Sequence, residues 1–269
     1  MPHLPWYVWA VATLGSYVVI SFALDLACRR LFAGRKIAGE GRVPAKLVTW
    51  KLVALFLINT FQISAALALA DGFHEQGRGG LYEHDISSPA HLVLIAAQLL
   101  FILAVFDANF YWVHRLAHRH KRILKRFHAE HHRPRFPNVW HLHYQHPVDY
   151  FATTVAPLAW IALLLIPLST QSYLLAVIIA AFLNIAGHSG YEVSNTFIGF
   201  PTPNGWAAYL DPRRRWLARW FNNVVHHDLH HQKFSCNYSL YFTFWDRLCG
   251  TCHPDTDRVD EYVGARARD

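Results

Sequence analysis

Three stretches of this 269-residue chain, residues 6–27, 47–70 and 90–113, are too long and too apolar for a soluble domain of ordinary size. Each exceeds the roughly 20 residues a helix needs to cross the hydrocarbon core of a bilayer. In lipid the backbone has no water to bond to, so such stretches must satisfy their own amides as helices. Two shorter apolar arms flank Pro167 and make residues 151–188 a hairpin dipping back through the membrane. The fold class expected is an all-α integral membrane protein, consistent with 53% hydrophobic residues. Residues 6–27 lack the basic lead-in and small-residue exit of a cleaved signal peptide and read as a first span.

The cations are distributed unevenly. Six Lys and Arg fall between the first two spans and a seventh, Lys51, at the start of the second; one falls in residues 71–89, eight in 114–150 and nine after 190. The positive-inside bias puts the rich segments in the cytoplasm and residues 71–89 on the other side. This accounts for the net charge of +7 without a nucleic-acid partner, for which no motif is present. The four cysteines read as free thiols on the reducing side; Cys249 and Cys252 lack the second pair of a zinc ribbon. The expected organisation is a single integrated domain over residues 1–269. A helical transmembrane stem carries a cytosolic helical cap, residues 114–150 and 189–269. Residues 206–221, with aromatics and Arg213, Arg214, Arg215 and Arg219, read as an amphipathic interfacial helix.

The histidines are patterned. Nine of the nineteen lie in residues 107–150. His114 and His118 are spaced H-x3-H, and His128, His131 and His132 form H-x2-HH. A second H-x2-HH is made by His227, His230 and His231. Residues i, i+3 and i+4 share one helix face, so each box can aim at one point. His226 and His230 are also i, i+4, so His226 could replace His227. His188 stands alone at the cytoplasmic exit of the hairpin and reads as a further ligand.

The motifs HRLAH, FHAEHH, HPVD and HHDLHH, with the tail HHDLHHQKFSCNYSLYFTFWDRLCGT, resemble the fatty acid hydroxylase / sterol desaturase superfamily over roughly residues 107–251. The tail is most similar to the branch of cholesterol side-chain hydroxylases and sterol methyl oxidases. Its Asn-Tyr-Gly or Asn-Phe-Gly step reads Asn237-Tyr238-Ser239 here. The resemblance implies an integral membrane protein with a histidine-ligated di-iron centre that uses O2. The implied metal ligands are His114, His118, His128, His131, His132, His188, His227, His230 and His231. His146 matches the His-Pro step of the family and is expected to support the site, or the fold alone.

Eight or nine imidazoles are too many for one metal, since zinc takes four ligands at a structural site and three plus water at a catalytic one. Two six-coordinate ions sharing nine imidazoles keep open positions, and iron suits both the ligands and oxygen chemistry. Zinc could fill the cage in purified protein but could not reduce O2. Asp107, two turns before His114, is expected to accept an imidazole N–H or to pack between helices. Asn184, i, i+4 from His188, is expected to hold a metal-bound water or that ring, or to bond between helices. There is no HExxH, no Glu-x-x-His repeat and no GxGxxG. Two electrons must therefore come from a separate donor: a b-type cytochrome, a ferredoxin or a reductase. The cationic residues Arg115, Lys121, Arg122, Lys125, Arg213, Arg214 and Arg215 offer a face to an acidic carrier or to phospholipid.

The expected function is O2-dependent hydroxylation of an unactivated C–H bond in a membrane lipid, sterol-like or acyl. Desaturation at the same centre is the alternative. A membrane metal-binding or transport protein is the alternative of another class, disfavoured by the scarcity of ionisable residues at mid-membrane.

Overall fold

The computed structural model describes residues 4–37, 49–83, 88–163, 166–193 and 219–266. Among them four helices are long and apolar enough to cross a membrane: α1 (Trp6–Leu31), α2 (Thr49–Glu75), α3 (Pro89–Arg119) and α4 (Thr170–Gly187). At most 39% of any of their apolar windows is buried within the chain. Their remaining surface, with Phe22, Phe61, Val93 and Ile178 well exposed, is left for lipid. α1 packs on α2, and α3 on α4. The one sheet among the described residues is a parallel pair, Leu81–Tyr82 with Leu168–Ser169.

The third span overshoots its expected end. α3 runs unbroken to Arg119, and 31 residues make about 46 Å of helix, roughly 16 Å more than the hydrocarbon core is thick. His114 and His118 thus sit on the last turns of a membrane helix. His120 breaks the helix with extended backbone, and a short turn, Lys121–Ile123, leads into a π-helical turn over Leu124–His128. The membrane hairpin is unequal. Its first arm is Pro147–Tyr150, a π-helical turn Phe151–Val155 and a helix Ala156–Leu163; its second is α4. The interfacial helix expected over residues 206–221 lies outside the described residues except at its end, where residues 219–221 form a turn and an isolated bridge.

Each inner span carries polar side chains that hold irregular backbone, as non-helical chain at membrane depth requires. On α2, Asn59 Nδ2 donates to the carbonyls of His143 (3.1 Å) and Gln145 (3.0 Å). On α3, Gln98 Oε1 accepts from Ser169 N (3.0 Å) and Ser172 Oγ (2.8 Å). Asn109 Nδ2 donates to the Ala152 carbonyl (3.2 Å), beside the π-helical turn.

The last histidine box lies on α5 (Val224–Lys233). Asn223 caps it by accepting from His226 N (2.8 Å), and Phe234 ends it at φ 61. The chain then folds back as a strap over residues 236–242. Asp246 accepts from Tyr238 N (2.9 Å) and Ser239 N (2.8 Å). Asp107, reaching out of α3, accepts from Leu240 N (2.9 Å) and Tyr241 N (2.7 Å). Asn237, at φ 57, ties the strap to α5 through the His226 carbonyl (2.9 Å) and receives His253 N (2.7 Å). Asp107 therefore bonds backbone amides, not an imidazole; the heptad spacing from His114 was the wrong guide because its carboxylate is taken by the strap.

Asp107→Ala strands two buried amides, each costing about 1–3 kcal/mol. We expect the thermal midpoint of the purified protein in detergent to fall by about 5–10 °C, with Asp107→Asn, which keeps an acceptor, losing less. An unchanged midpoint in both variants would show that the strap is held elsewhere.

Candidate metal centre

The nine histidines singled out by spacing and resemblance come together as two groups. His114, His118, His128, His132 and His230 form one; His131, His188, His227 and His231 form the other. Within each group the ligand atoms all lie within 4.8 Å of one another. All are buried except His118, which is half-buried.

The boxes do not each converge on one point. The i, i+4 pairs His114/His118 and His128/His132 enter the first group, and His227/His231 the second. The third member of each H-x2-HH box crosses over: His131 joins the second group and His230 the first. On a helical turn i and i+4 point about 40° apart, whereas the i+3 residue lies about 60° to the other side. Each H-x2-HH box therefore straddles the two groups and locks them together.

The ring tautomers follow from what the other nitrogen touches. His114 Nδ1 lies 2.8 Å from the Tyr238 carbonyl, and His230 Nδ1 lies 2.7 Å from that of Cys236, both on the strap. His188 Nδ1 lies 2.7 Å from the Asn184 carbonyl, and His128 Nδ1 lies 2.8 Å from Asp149 Oδ2. Carbonyl and carboxylate oxygens only accept, so each Nδ1 carries the proton and each Nε2 presents a bare lone pair. Burial and the neighbouring imidazoles hold His131, His132, His227 and His231 far below the ordinary histidine pKa. Burial takes His188 to about 4, and His230 to about 3 although the Cys236 carbonyl favours its charged form. These six rings are neutral.

The inward nitrogens stand close together. His114 Nε2 is 3.0 Å from His128 Nε2, although neither has a proton to share. His132 Nε2 is 2.9 Å from His128, 3.0 Å from His118 and 3.1 Å from His230. In the second group His227 Nε2 is 3.1 Å from both His188 and His231. The first contact, between two neutral rings with Nδ1 protonated, is repulsive unless a cation sits between them. Two nitrogens about 2.1 Å from one ion are about 3.0 Å apart at right angles and about 3.4 Å apart at the tetrahedral angle. The observed spacings match the edge of a six-coordinate ion, and the donor set fits a metal in both groups.

The remaining candidates lie outside both groups. His226 turns its Nε2 to Asp246 Oδ2 (3.2 Å) and does not replace His227. Burial opposes its charge, but the Asp246 carboxylate prevails and lifts it to about 9. His146 caps a helix by accepting from Val148 N (3.2 Å). Asn184 lends its carbonyl to His188, and its side chain borders the cavity beside His131, His188 and His227. His141 accepts from Asn138 N (3.1 Å), and His143 packs on Tyr17 and Phe56. Glu130 points away to Lys51 (2.8 Å).

Two carboxylates escaped the sequence reading. Asp149, which also accepts from Gln145 Nε2 (2.6 Å), orients His128; its signal was the HPVD step itself. Asp246 holds the strap that orients His114 and His230, and nothing local marks it. The carbonyls of Cys236, Tyr238 and Asn184 carry no sequence signal.

The profile of the family described as fatty acid hydroxylase matches residues 99–251, which hold every histidine of both groups. The chain belongs to the fatty acid hydroxylase family. Relatives within reach of this fatty acid hydroxylase domain include human cholesterol 25-hydroxylase, 31% identical over 60% of this chain and 53% of that protein. Delta(7)-sterol 5(6)-desaturase ERG3B of Gibberella zeae is 28% identical over 63% of this chain and 46% of its own length. Sphingolipid C4-hydroxylase sur2 of Schizosaccharomyces pombe is 30% identical over 84% of this chain and 78% of its own. The chain thus spans about half the length of the first two. No solved structure matches it significantly.

Carboxylates that orient a ligand histidine commonly govern affinity. We expect Asp149→Ala to weaken binding of a divalent ion by about 10–100-fold, with His146→Ala changing it by less than about twofold, in competition with a chromogenic chelator. Equal affinities in both variants would detach Asp149 from the site.

Proposed function

We propose that this fatty acid hydroxylase family member is a di-iron oxygenase that hydroxylates a C–H bond of a membrane lipid. The observation that carries the reading is the pair of all-imidazole groups whose facing nitrogens stand 2.9–3.1 Å apart at the ends of lipid-facing helices. His114, His118, His128, His132 and His230 would hold one ion, and His131, His188, His227 and His231 the other. Iron bound there would supply a redox-active centre for O2. The reaction balances as R–H + O2 + 2 e⁻ + 2 H⁺ → R–OH + H2O.

The chain's own part is orientation and exclusion of water. Asp149 and the three carbonyls fix four rings with Nε2 inward. Burial keeps bulk water out. A lipid can approach along apolar helices without desolvation cost. The two electrons come from a separate carrier. Arg119, Lys121, Arg122, Lys125 and Arg126 are exposed next to half-buried His118, a face suited to an acidic donor. The cation distribution supports placing this face and both groups on the cytoplasmic side. Desaturation stands as the second reading because one of the relatives is named a desaturase.

Anaerobically reconstituted protein should hold about two irons per chain, and His131→Ala or His230→Ala should lower that content and abolish turnover. Full metal and turnover in either variant would sink the ligand assignment. With a reductase system, lipid extract and heavy O2, the product should gain about 18 mass units, the increment of one heavy oxygen atom inserted at an open-site iron centre. Loss of two hydrogens would select desaturation; label drawn from water would refute O2 chemistry. A tag after Gly77, in an exposed turn, should be reached only from outside and a C-terminal tag only from the cytoplasm; reversed labelling would invert the topology.

A further inference from the structure

A cleft with a cavity volume of about 40 Å³, partly open to the outside, lies between the C-terminal end of α4 and the segments at 222–224 and 240–241. One wall is Leu183, Ala186 and Gly187; the facing wall is Val224, Leu240 and Tyr241. Its floor is His188 and His227. Both belong to the four-histidine group, and no member of the five-histidine group lines this cleft.

Deeper in lies a second, smaller cavity. Asn184, His188, His227 and Leu240 border both spaces, and the inner one adds His128, His131 and the apolar Phe110 and Leu142. The two spaces therefore adjoin across Asn184, His188, His227 and Leu240, with Gly187 on the outer one and His128 and His131 on the inner one.

The outer space is continuous with the membrane-facing surface. Ile179, Leu183 and Gly187 fall at i, i+4 and i+8, one stripe of α4. All three are half-buried, on a helix apolar enough to span the bilayer. A lipid sliding along this stripe exchanges one apolar surrounding for another and arrives beside His188. Walls so largely apolar, with few polar groups at the floor, suit a hydrocarbon end and not a charged headgroup.

Gly187 sets the width of the mouth. A Cβ built on it meets nothing within 4 Å. Its backbone is not in the left-handed region, so a larger residue fits the helix without strain, and helix propensity favours the change. The added side chain has open space to occupy on a residue that lines the cleft.

We propose that this cleft receives the apolar end of a membrane lipid and presents it to the four-histidine group, with Gly187 as the residue that sets which lipid ends can enter. The proposal deepens the lipid-oxygenase reading and rests on it.

The test is photolabelling in phosphatidylcholine vesicles. The probes are a sterol with a diazirine at the end of its side chain and a fatty acid with a diazirine at its methyl end. At least one should label the peptides that hold Leu183 or Leu240. Gly187→Leu should cut that labelling at least about fivefold, the loss expected when a side chain fills an apolar pocket, while iron content and thermal midpoint stay at wild-type values. Leu183→Trp, which narrows the same wall, should act in the same direction. Labelling confined to other segments, or undiminished in both variants, overturns the proposal. Cleft labelling without any oxygenated product from wild-type protein supports the cleft and removes the oxygenase reading. Oxygenated product with labelling elsewhere does the reverse.

Discussion

Nine buried or half-buried imidazoles turned inward on one another, with nitrogens such as those of His114 and His128 only 3.0 Å apart, call for cations between them, and the rest of the chain is arranged around that demand. An isolated histidine can choose its tautomer. Here four cannot, because carbonyls at Tyr238, Cys236 and Asn184 and the carboxylate of Asp149 each take the Nδ1 proton. The protein spends its outward-facing nitrogens on fixed acceptors so that the inward ones have only a metal to bind. Metal binding and folding are then linked, since the ion removes a repulsion that the fold creates.

The acceptors are themselves held. Asp246 and Asp107 grip the strap over 238–241 from two sides, one from the cap and one from within α3. A carboxylate on a membrane helix thus acts on His114 indirectly, through the backbone of a segment more than a hundred residues away in sequence. The buried pair His226–Asp246 completes this clamp. Burial makes such a pair costly, and its retention suits a positioning role better than one in stability alone.

The position of the two groups follows from helix length. α3 is long enough to leave the hydrocarbon core before it ends, and α4 ends as it reaches the site. Histidines on the emerging turns meet those of α5 and of the irregular segment after His120 at one level. The cleft at Gly187 opens at that level too. A lipid-facing helix and a metal-capable group are thereby joined by the geometry of one helix end.

The sequence by itself determined the membrane helices and the set of nine histidines. Long apolar runs have no other solution in lipid, and i, i+4 spacing is a local property of any helical turn. Residues 90–113 were legible as a span, but not that the helix continues through His118, because a polar face and a helix end look alike in hydropathy. Which histidine joins which group was decided only by the tertiary structure. His131 and His230 cross between groups because their turns are packed against each other, a relation no local spacing encodes. The role of Asp107 was likewise open: its heptad relation to His114 was visible, but its partners are amides at 240 and 241. Side-chain chemistry and helical period are written locally. The partner of a buried carboxylate, and the carbonyl that chooses a tautomer, exist only once distant segments have met.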